Sequence, residues 1–324
     1  MRRLLRGIGW LVGVTASLAL LVWLLPRDGV EIPPAATFTD PVVAIAAREG
    51  AHDDIRPGAE ARIVWAGETG AATETVVLYL HGFSASPEEI RPVPDHVAEA
   101  LGANLVFARL SGHGRTGPAM AEPRAGDWVA DTALFLEIAR SIGDRVLVIG
   151  TSTGGTLAAW AMTDAEMSED VAGVVFVSPN FAIVNRAAVL LELPFARAWV
   201  PLVAGRERSF EPLNEGQAAH WTTAYPTQAG VALGTLLRAL RSRDLAAARQ
   251  PALFLFSDAD RVVRAEATRA AAEAWGGPVT LVPQTLPEDG ADPFHHVIAG
   301  DILSPAMTAP ITQAILDWAA GLPD

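Results

Sequence analysis

The sequence predicts an α/β protein built on a mostly parallel sheet with helices on both faces. Strand-like and helix-like segments alternate along most of the chain, and the strand-like segments are continuously apolar, as parallel strands buried on both faces are. One short motif, GTSTGG at residues 150–155, joins an apolar strand directly to a helix-like segment. Together the alternation and this junction indicate strands linked by crossover helices.

The sequence predicts seven strands and three clear helices around this sheet. The strands are expected at residues 62–65, 75–80, 104–110, 145–149, 171–178, 252–257 and 279–282. The helices are expected at residues 87–101, 127–142 and 156–162, of which the second is capped by Asp127 and closed by Gly143.

The composition limits the chemistry that the chain can perform. Half of the 324 residues are apolar and the formal net charge is −13, so a large core is available but clustered positive charge for nucleic-acid binding is not. The chain has no cysteine and no lysine, since all 24 basic residues are arginine. Thiol nucleophiles, Schiff-base lysines and phosphate-binding loops of the Walker type are therefore excluded. A serine nucleophile would have to use one of the seven histidines as its base.

Residues 1–26 have the layout of a membrane anchor. Arg2, Arg3 and Arg6 precede an uncharged apolar stretch at residues 7–25, which is close to the length that spans a bilayer. A cleaved signal peptide is the alternative, but the stretch is long for one and no small-residue cleavage site follows it. The arginines predict a single pass with the rest of the chain on the extracytoplasmic side. Residues 27–60 are then a tether and the start of the domain, and residues 61–324 are the domain itself.

The GTSTGG motif is the candidate nucleophile turn. A G-x-S-x-G sequence between a strand and a helix holds its serine, here Ser152, in a sharp turn at the end of the strand. Gly150 and Gly154 flank it because a Cβ at either position would crowd the adjacent strand and helix. A chance turn rich in glycine and serine is the alternative, and the context of strand, turn and helix favours the nucleophile.

A serine nucleophile needs a histidine base and an acid that orients it, in the chain order Ser, Asp or Glu, His. Asp260, just after the strand at 252–257, is the favoured acid. Asp258 competes with it, and either aspartate can instead cap the helix that follows. After the last strand only His295 and His296 are available, with His296 preferred as the base. Paired histidines also occur in metal sites, but no third ligand is near in the sequence, so no metal and no cofactor are expected.

Two backbone N–H groups are expected to bind the oxyanion that forms when the serine attacks a carbonyl group. One belongs to Thr153, the residue after the nucleophile. The other belongs to Phe83, in the loop after the strand at 75–80, where Gly82 allows the backbone to approach closely.

Residues 180–250 interrupt the alternation of strands and helices. This region has no strand-like run and is predicted to be a helical lid that lines the substrate pocket. The alternative is a set of crossover helices that cover the sheet, although the region is longer than one crossover needs. Its apolar residues include Phe181, Leu190, Leu191, Phe195, Trp199, Trp221 and Tyr225.

The chain resembles the α/β-hydrolase superfamily, and within it the lysophospholipase, monoacylglycerol lipase and carboxylesterase group, which overlaps with the serine aminopeptidase-like hydrolases. The resemblance spans about residues 75–320 and implies an α/β-hydrolase fold with a helical cap at 180–250. It also implies that the Gly-His-Gly turn around His113 is structural. The motifs that carry it are HGF at 81–83, LSGHG at 110–114, GDW at 126–128, GTSTGG at 150–155, DRVV at 260–263 and HVI at 296–298.

The favoured function is hydrolysis of a small carboxylic ester with an apolar acyl group. Ser152 is expected to be the nucleophile, with His296 as the base and Asp260 as the acid. An aminopeptidase-like amide hydrolase is one alternative, because amides and esters share the tetrahedral intermediate. A catalytically silent binding protein tethered to the membrane is another, since a fold does not dictate a function.

Overall fold

The structure is a computed structural model that describes residues 25–35 and 37–323. Almost all of the predicted membrane anchor, residues 1–24, lies outside the described residues. Across the two described stretches, none of the helices is both long enough and apolar enough to cross a bilayer.

Within the described residues, the strands in chain order are β1 (Arg62–Val64), β2 (Thr73–Leu80), β3 (Asn104–Phe107), β4 (Gly143–Thr151), β5 (Val171–Val177), β6 (Glu207–Ser209), β7 (Ala224–Pro226), β8 (Ala252–Phe256) and β9 (Val279–Pro283). Seven of them form one sheet in the order β1-β3-β2-β4-β5-β8-β9. All pair in parallel except β1, which is antiparallel to β3. The seven predicted strands are confirmed, with ends that differ by a few residues.

Helices cover both faces of the sheet, as the sequence predicts. In chain order the helices of the described residues are α1 (Pro41–Gly50), α2 (Val93–Leu101), α3 (Ala125–Arg140), α4 (Thr153–Met162), α5 (Ala196–Val203), α6 (Glu215–His220), α7 (Ala229–Leu240), α8 (Ala265–Ala274) and α9 (Pro305–Ala319). Along β2, Val76, Leu78 and Leu80 belong to an apolar cluster that includes residues of α3, α4, α7 and α8, while Val77 and Tyr79 belong to a second cluster that includes residues of α2 and α9. This division follows from the alternation of side chains along a strand.

Two predicted helix starts are wrong. The helix expected from residue 87 begins at Val93, because residues 86–93 form successive tight turns instead. Asp127 is not the N-cap of α3 but its third residue, where its Oδ2 accepts the Arg124 N–H at 2.7 Å from inside the first turn. The same helix ends at Arg140, and Gly143 begins β4 rather than closing the helix.

The prediction that residues 180–250 form a purely helical lid is wrong in two respects. The region contains a two-stranded antiparallel ribbon of β6 and β7. It also contains α7, whose Leu233, Leu236 and Leu240 belong to the core of the sheet together with α3 and α4. The helix α7 is therefore a crossover helix that covers the sheet. Residues 180–228, which we call the cap, remain above the ends of the strands.

Residues 25–35 lie across the cap and its neighbouring helices. The Asp28 carboxylate pairs with Arg197 of α5 at 2.8 Å and with Arg124, just before α3, at 3.5 Å. The Asp28 carbonyl oxygen accepts a hydrogen bond from Arg238 of α7. Further along, the backbone of Glu31 lies against Gly126, where a Cβ would come within 1.8 Å of the Glu31 carbonyl oxygen. This segment thus joins cap, crossover helix and core.

Candidate active site

Ser152 occupies a strained turn between β4 and α4. Its φ is 49° and its ψ is −112°, a conformation that residues with a Cβ rarely adopt. Two backbone hydrogen bonds of 3.0 Å hold it there: the Ser152 N–H donates to the Val177 carbonyl, and the Asn180 N–H donates to the Ser152 carbonyl. The side chain is 6% exposed and borders a cavity. Strain stored at such a position is typical of a functional residue.

The glycines of the motif are required by close packing, which confirms the reason given for them from the sequence. A Cβ on Gly154 would lie 2.0 Å from the Leu80 carbonyl oxygen. A Cβ on Gly150 would lie 2.7 Å from the Gly154 carbonyl oxygen. Both distances are shorter than any tolerated contact, so the strand-to-helix turn closes this tightly only with glycine at both positions.

The structure brings Ser152, His296 and Asp260 into one hydrogen-bonded chain. His296 Nε2 lies 3.1 Å from Ser152 Oγ, and His296 Nδ1 lies 2.8 Å from Asp260 Oδ2. An ionised carboxylate can only accept, so it fixes the ring as the tautomer that carries its proton on Nδ1. Nε2 is then free to accept the proton of the serine hydroxyl.

Asp260 is the partner of the histidine and caps the turn that follows it, but it does not cap the next helix, which begins at Ala265 with Arg264 as its N-cap. Its Oδ1 accepts the backbone N–H groups of Val262 and Val263 at 2.7 and 2.9 Å, which leaves Oδ2 for His296. Asp258 takes no part in the hydrogen bonds that join Ser152, His296 and Asp260. It pairs with Arg269 of α8 at the surface.

His295 and His296, in the loop before α9, have different surroundings, and only His296 contacts Ser152 and Asp260. His295 has a φ of 55°, and its buried Nδ1 has no hydrogen-bond partner among the described residues. Asp292 organises the loop, because its carboxylate accepts the N–H groups of Phe294, His296 and Val297 at 2.9–3.0 Å. Sequence reasoning missed Asp292, although an aspartate before a proline is a usual start of such a turn.

The charges around His296 favour its protonated form. Burial lowers the pKa of this ring, but the carboxylates of Asp260, Glu89 and Asp292 outweigh burial and raise the pKa above its ordinary value of 6.5. A histidine with a raised pKa is a stronger base toward a serine hydroxyl.

The loop after β2 and the start of α4 carry the two backbone N–H groups that are predicted to bind the oxyanion. A Cβ on Gly82 would lie 3.2 Å from Ser152 Cβ, so the loop runs beside the nucleophile. Within the described part of the chain, the backbone N–H groups of Phe83 and Thr153 have no acceptor. Thr153 is also the first residue of α4, where a free N–H and the helix dipole both favour negative charge.

Two buried neutral histidines hold this loop in place. His81 Nδ1 lies 2.9 Å from the Gly82 carbonyl oxygen, and His81 Nε2 accepts the Leu110 N–H at 3.1 Å. Burial lowers the pKa of His81 to about 4 and that of His113 well below its ordinary value. The rings of His113 and Phe83 pack edge to face. The structure thus gives His113 the packing role that the resemblance implies.

A cavity of about 830 Å³ opens onto Ser152 and His296 and is walled mainly by apolar side chains of the cap. That volume is in the range of pockets that hold small organic ligands. Phe181 instead packs on Phe176 in the core, and Phe195 is 55% exposed on the outside of the cap. Of the apolar residues expected to line a lid, five contribute to the wall: Leu190, Leu191, Trp199, Trp221 and Tyr225.

Comparison with known proteins places these features in a family. Residues 77–299 match the sequence profile of the alpha/beta hydrolase family. A thermostable monoacylglycerol lipase from Bacillus sp. (strain H-257) is 33% identical over 99 residues, which is 31% of this chain and 38% of that enzyme. The match therefore spans less than half of that relative's length.

Solved structures with low sequence identity share the fold. A structure from work on the metagenome-derived lipolytic enzymes LipS and LipT has a TM-score of 0.65 and 24% identity, and the match covers 82% of this chain and 98% of that one. A soluble variant of monoglyceride lipase from Saccharomyces cerevisiae, in complex with a substrate analog, has a TM-score of 0.58 and 10% identity, with coverages of 80% and 90%. With its profile match, sheet order and strained serine turn, the chain belongs to the alpha/beta hydrolase family.

Proposed function

We propose that the protein is a serine hydrolase that cleaves a carboxylic ester with one apolar acyl chain. The observation that carries the proposal is the hydrogen-bonded chain of Ser152, His296 and Asp260, with links of 3.1 and 2.8 Å, at the edge of the cavity. The apolar walls of the cavity support the apolar acyl group. The partial match to a Bacillus monoacylglycerol lipase supports a monoacyl ester as the substrate class.

In the proposed mechanism His296 takes the proton of Ser152 as its Oγ attacks the ester carbonyl carbon. Asp260 keeps the imidazole oriented and stabilises the imidazolium that forms. The N–H groups of Phe83 and Thr153 stabilise the oxyanion. His296 then protonates the departing alcohol, and a water molecule releases the acid from the acyl-enzyme by the same steps.

The amide-hydrolase alternative, an aminopeptidase, needs a carboxylate free to bind the substrate ammonium group. Asp292 accepts three backbone N–H groups, and Glu89 accepts one on Oε2 while burial raises its pKa to about 7, so neither offers an ionised carboxylate that is free for an ammonium group. Glu211 is exposed rather than enclosed. The carboxylates therefore favour an ester substrate over an aminoacyl amide.

A fluorophosphonate probe tests the mechanism directly. We expect the full-length protein in detergent micelles to be labelled at Ser152, as located by mass spectrometry, and the Ser152→Ala variant to remain unlabelled. His296→Ala should slow labelling by about 10⁴-fold, because the base is lost. His295→Ala is the matched control and should label at the wild-type rate. Folded wild-type protein that takes up no label would rule out the serine mechanism.

The same protein then reports its substrate class. We expect kcat/KM for monoacylglycerols to rise with acyl chain length, since each buried methylene group contributes about 0.8 kcal/mol. Aminoacyl anilides should be turned over far more slowly. A preference for anilides with a free amino group would favour the aminopeptidase alternative instead.

We also propose, from the sequence of residues 1–26, that the enzyme is anchored by a single N-terminal pass with its domain on the extracytoplasmic side. The full chain should stay in the membrane pellet after an alkaline carbonate wash, and a variant lacking residues 1–24 should not. If the protein expressed from the full sequence is instead released, and its mass shows loss of its first residues, the segment is a cleaved signal peptide.

A further inference from the structure

Glu89 is a buried carboxyl group at the reaction centre that the mechanism above does not use. It lies in the loop between β2 and α2, is 2% exposed, and borders the cavity beside Ser152. A carboxyl group is rarely buried to this extent without a charged partner. Within the described chain Glu89 forms no salt bridge, whereas its neighbour Glu88 pairs with Arg62 and Arg91.

One oxygen of Glu89 anchors the oxyanion loop. Oε2 accepts the Gly82 N–H at 2.6 Å and the Tyr79 hydroxyl at 3.1 Å. The Tyr79 hydroxyl also lies 3.2 Å from Thr151 Oγ1, next to the nucleophile. Since Gly82 precedes Phe83, this contact fixes the orientation of the chain just before the proposed oxyanion donor.

The other oxygen, Oε1, lies beside Gly82, and Glu89 and Ser152 border the same cavity. No hydrogen bond reaches Oε1 from any described residue. A Cβ on Gly82 would lie 2.7 Å from Oε1 and 3.2 Å from Ser152 Cβ. The oxygen and the serine therefore both lie against the same open position on Gly82.

The surroundings of Glu89 favour its neutral form. Burial raises the pKa of Glu89 from 4.5 to about 7, although the Gly82 N–H, the Tyr79 hydroxyl and the charge of His296 act in the opposite direction. Tyr79 from β2 and His296 from the loop before α9 are the titratable groups that face it, and Asp260 and Asp292 lie beyond His296. Because both donors bind Oε2, the proton of the neutral acid belongs on Oε1.

We propose that Glu89 is a catalytic residue that acts in its protonated form, with Oε1–H donating a hydrogen bond to the substrate oxygen bound beside Ser152 while Oε2 holds Gly82. The proposal rests on the proposed ester hydrolysis. A neutral buried acid can stabilise an oxyanion in this way, whereas an ionised one repels it.

The role has a definite signature in the dependence of rate on pH. Activity rises with pH as His296 loses its proton, above pH 6.5, because the base must be neutral. Activity falls again as Glu89 loses its proton near pH 7, because the donor is lost and a negative charge appears beside the oxyanion. The wild-type profile is therefore a narrow bell rather than a plateau on the alkaline side.

The test compares kcat/KM of the full-length protein and three variants with 4-nitrophenyl butyrate from about pH 5 to pH 9. Glu89→Gln keeps an acceptor for Gly82 and an N–H donor that does not titrate, so it should keep the rising limb and lose the falling one. Glu89→Ala should lower the rate about 10²–10³-fold, as loss of an oxyanion donor does. Glu88→Gln, the adjacent control, should keep the wild-type bell.

A fourth variant gives a result even where Glu89→Gln fails to fold. Tyr79→Phe removes a hydrogen bond that lowers the pKa of Glu89, so the falling limb should move to higher pH. A falling limb that persists in Glu89→Gln, or Tyr79→Phe with an unmoved limb, overturns the proposal. An inactive wild type is a different result, because it removes the ester-hydrolase function itself.

Discussion

The carboxylate of Asp260 both caps a turn and orients His296. Because Oδ1 is held by the N–H groups of Val262 and Val263, the side chain cannot rotate, and Oδ2 stays 2.8 Å from His296 Nδ1. Orientation of the histidine is thus secured by backbone bonds on the far side of the acid. A positioned acid of this kind maintains a single tautomer of the base.

Two substitutions of Asp260 distinguish its effect on the histidine from its effect on the turn. In Asp260→Asn the amide oxygen can still accept from Val262 and Val263, but the amide N–H₂ then faces the ring and selects the wrong tautomer. We expect kcat to fall about 10⁴-fold with little change in thermal stability. Asp260→Ala should be as inactive and should also lose about 1 kcal/mol of stability, because the turn cap is gone.

Asp258→Asn is the control for both variants, since the one ion pair that Asp258 forms with a described residue is with Arg269 at the surface. It should match the wild type in rate and in melting temperature. Asp260→Asn with activity within tenfold of the wild type would contradict the assignment of the acid.

The residues at the centre of the site were predictable, whereas those that support them were not. Ser152 lies in a motif whose spacing dictates a strand, a turn and a helix, and Asp260 and His296 follow strands in the expected order. Asp292 and Glu89 act by accepting backbone N–H groups. Such contacts depend on how loops fold back, and no spacing along the chain encodes that.

At the level of elements, strands were predicted better than helix starts or the cap. A parallel strand buried on both faces is continuously apolar, which is a strong local signal. The strands β6 and β7 have three residues each, and β6 is exposed throughout, so neither has a periodic pattern to detect. The crossover helix α7 is as apolar as a lid helix, and only its contacts with α3 and α4 distinguish the two.

Across the whole molecule, buried acids and bases oppose each other in their effect on stability. Burial holds the pKa of His81 near 4, so its contribution to stability is full above pH 6.5 and is lost as pH falls through 4. Burial raises the pKa of Glu89 from 4.5 to about 7, so its contribution is full below pH 4.5 and is lost as pH rises through 7. Between pH 4.5 and 6.5 the stability contributed by His81 therefore rises with pH, while that contributed by Glu89 falls.

Removing Glu89 isolates its own contribution to stability, because His81 contributes equally to both proteins. We expect the free energy of unfolding of the wild type, relative to Glu89→Gln, to fall by about 1.4 kcal/mol per pH unit as pH rises from 4.5 to 7. Urea unfolding of both proteins at several pH values in the same detergent measures this difference. A difference that stays constant with pH would mean that Glu89 titrates at its ordinary pKa.

The contacts of Asp28 determine where the chain can be shortened without disturbing the rest. Its carboxylate and carbonyl oxygen join α5 of the cap to the start of α3 and to α7, although Asp28 itself precedes the first strand by more than thirty positions. A truncated protein that starts at residue 33 loses these bonds and leaves Arg197 and Arg238 without their acceptors on this segment. One that starts at residue 27 retains them. The contacts of the domain thus begin upstream of the boundary suggested by the sheet, and a truncation chosen from the sheet would remove the Asp28 acceptors of α5 and α7 along with the tether.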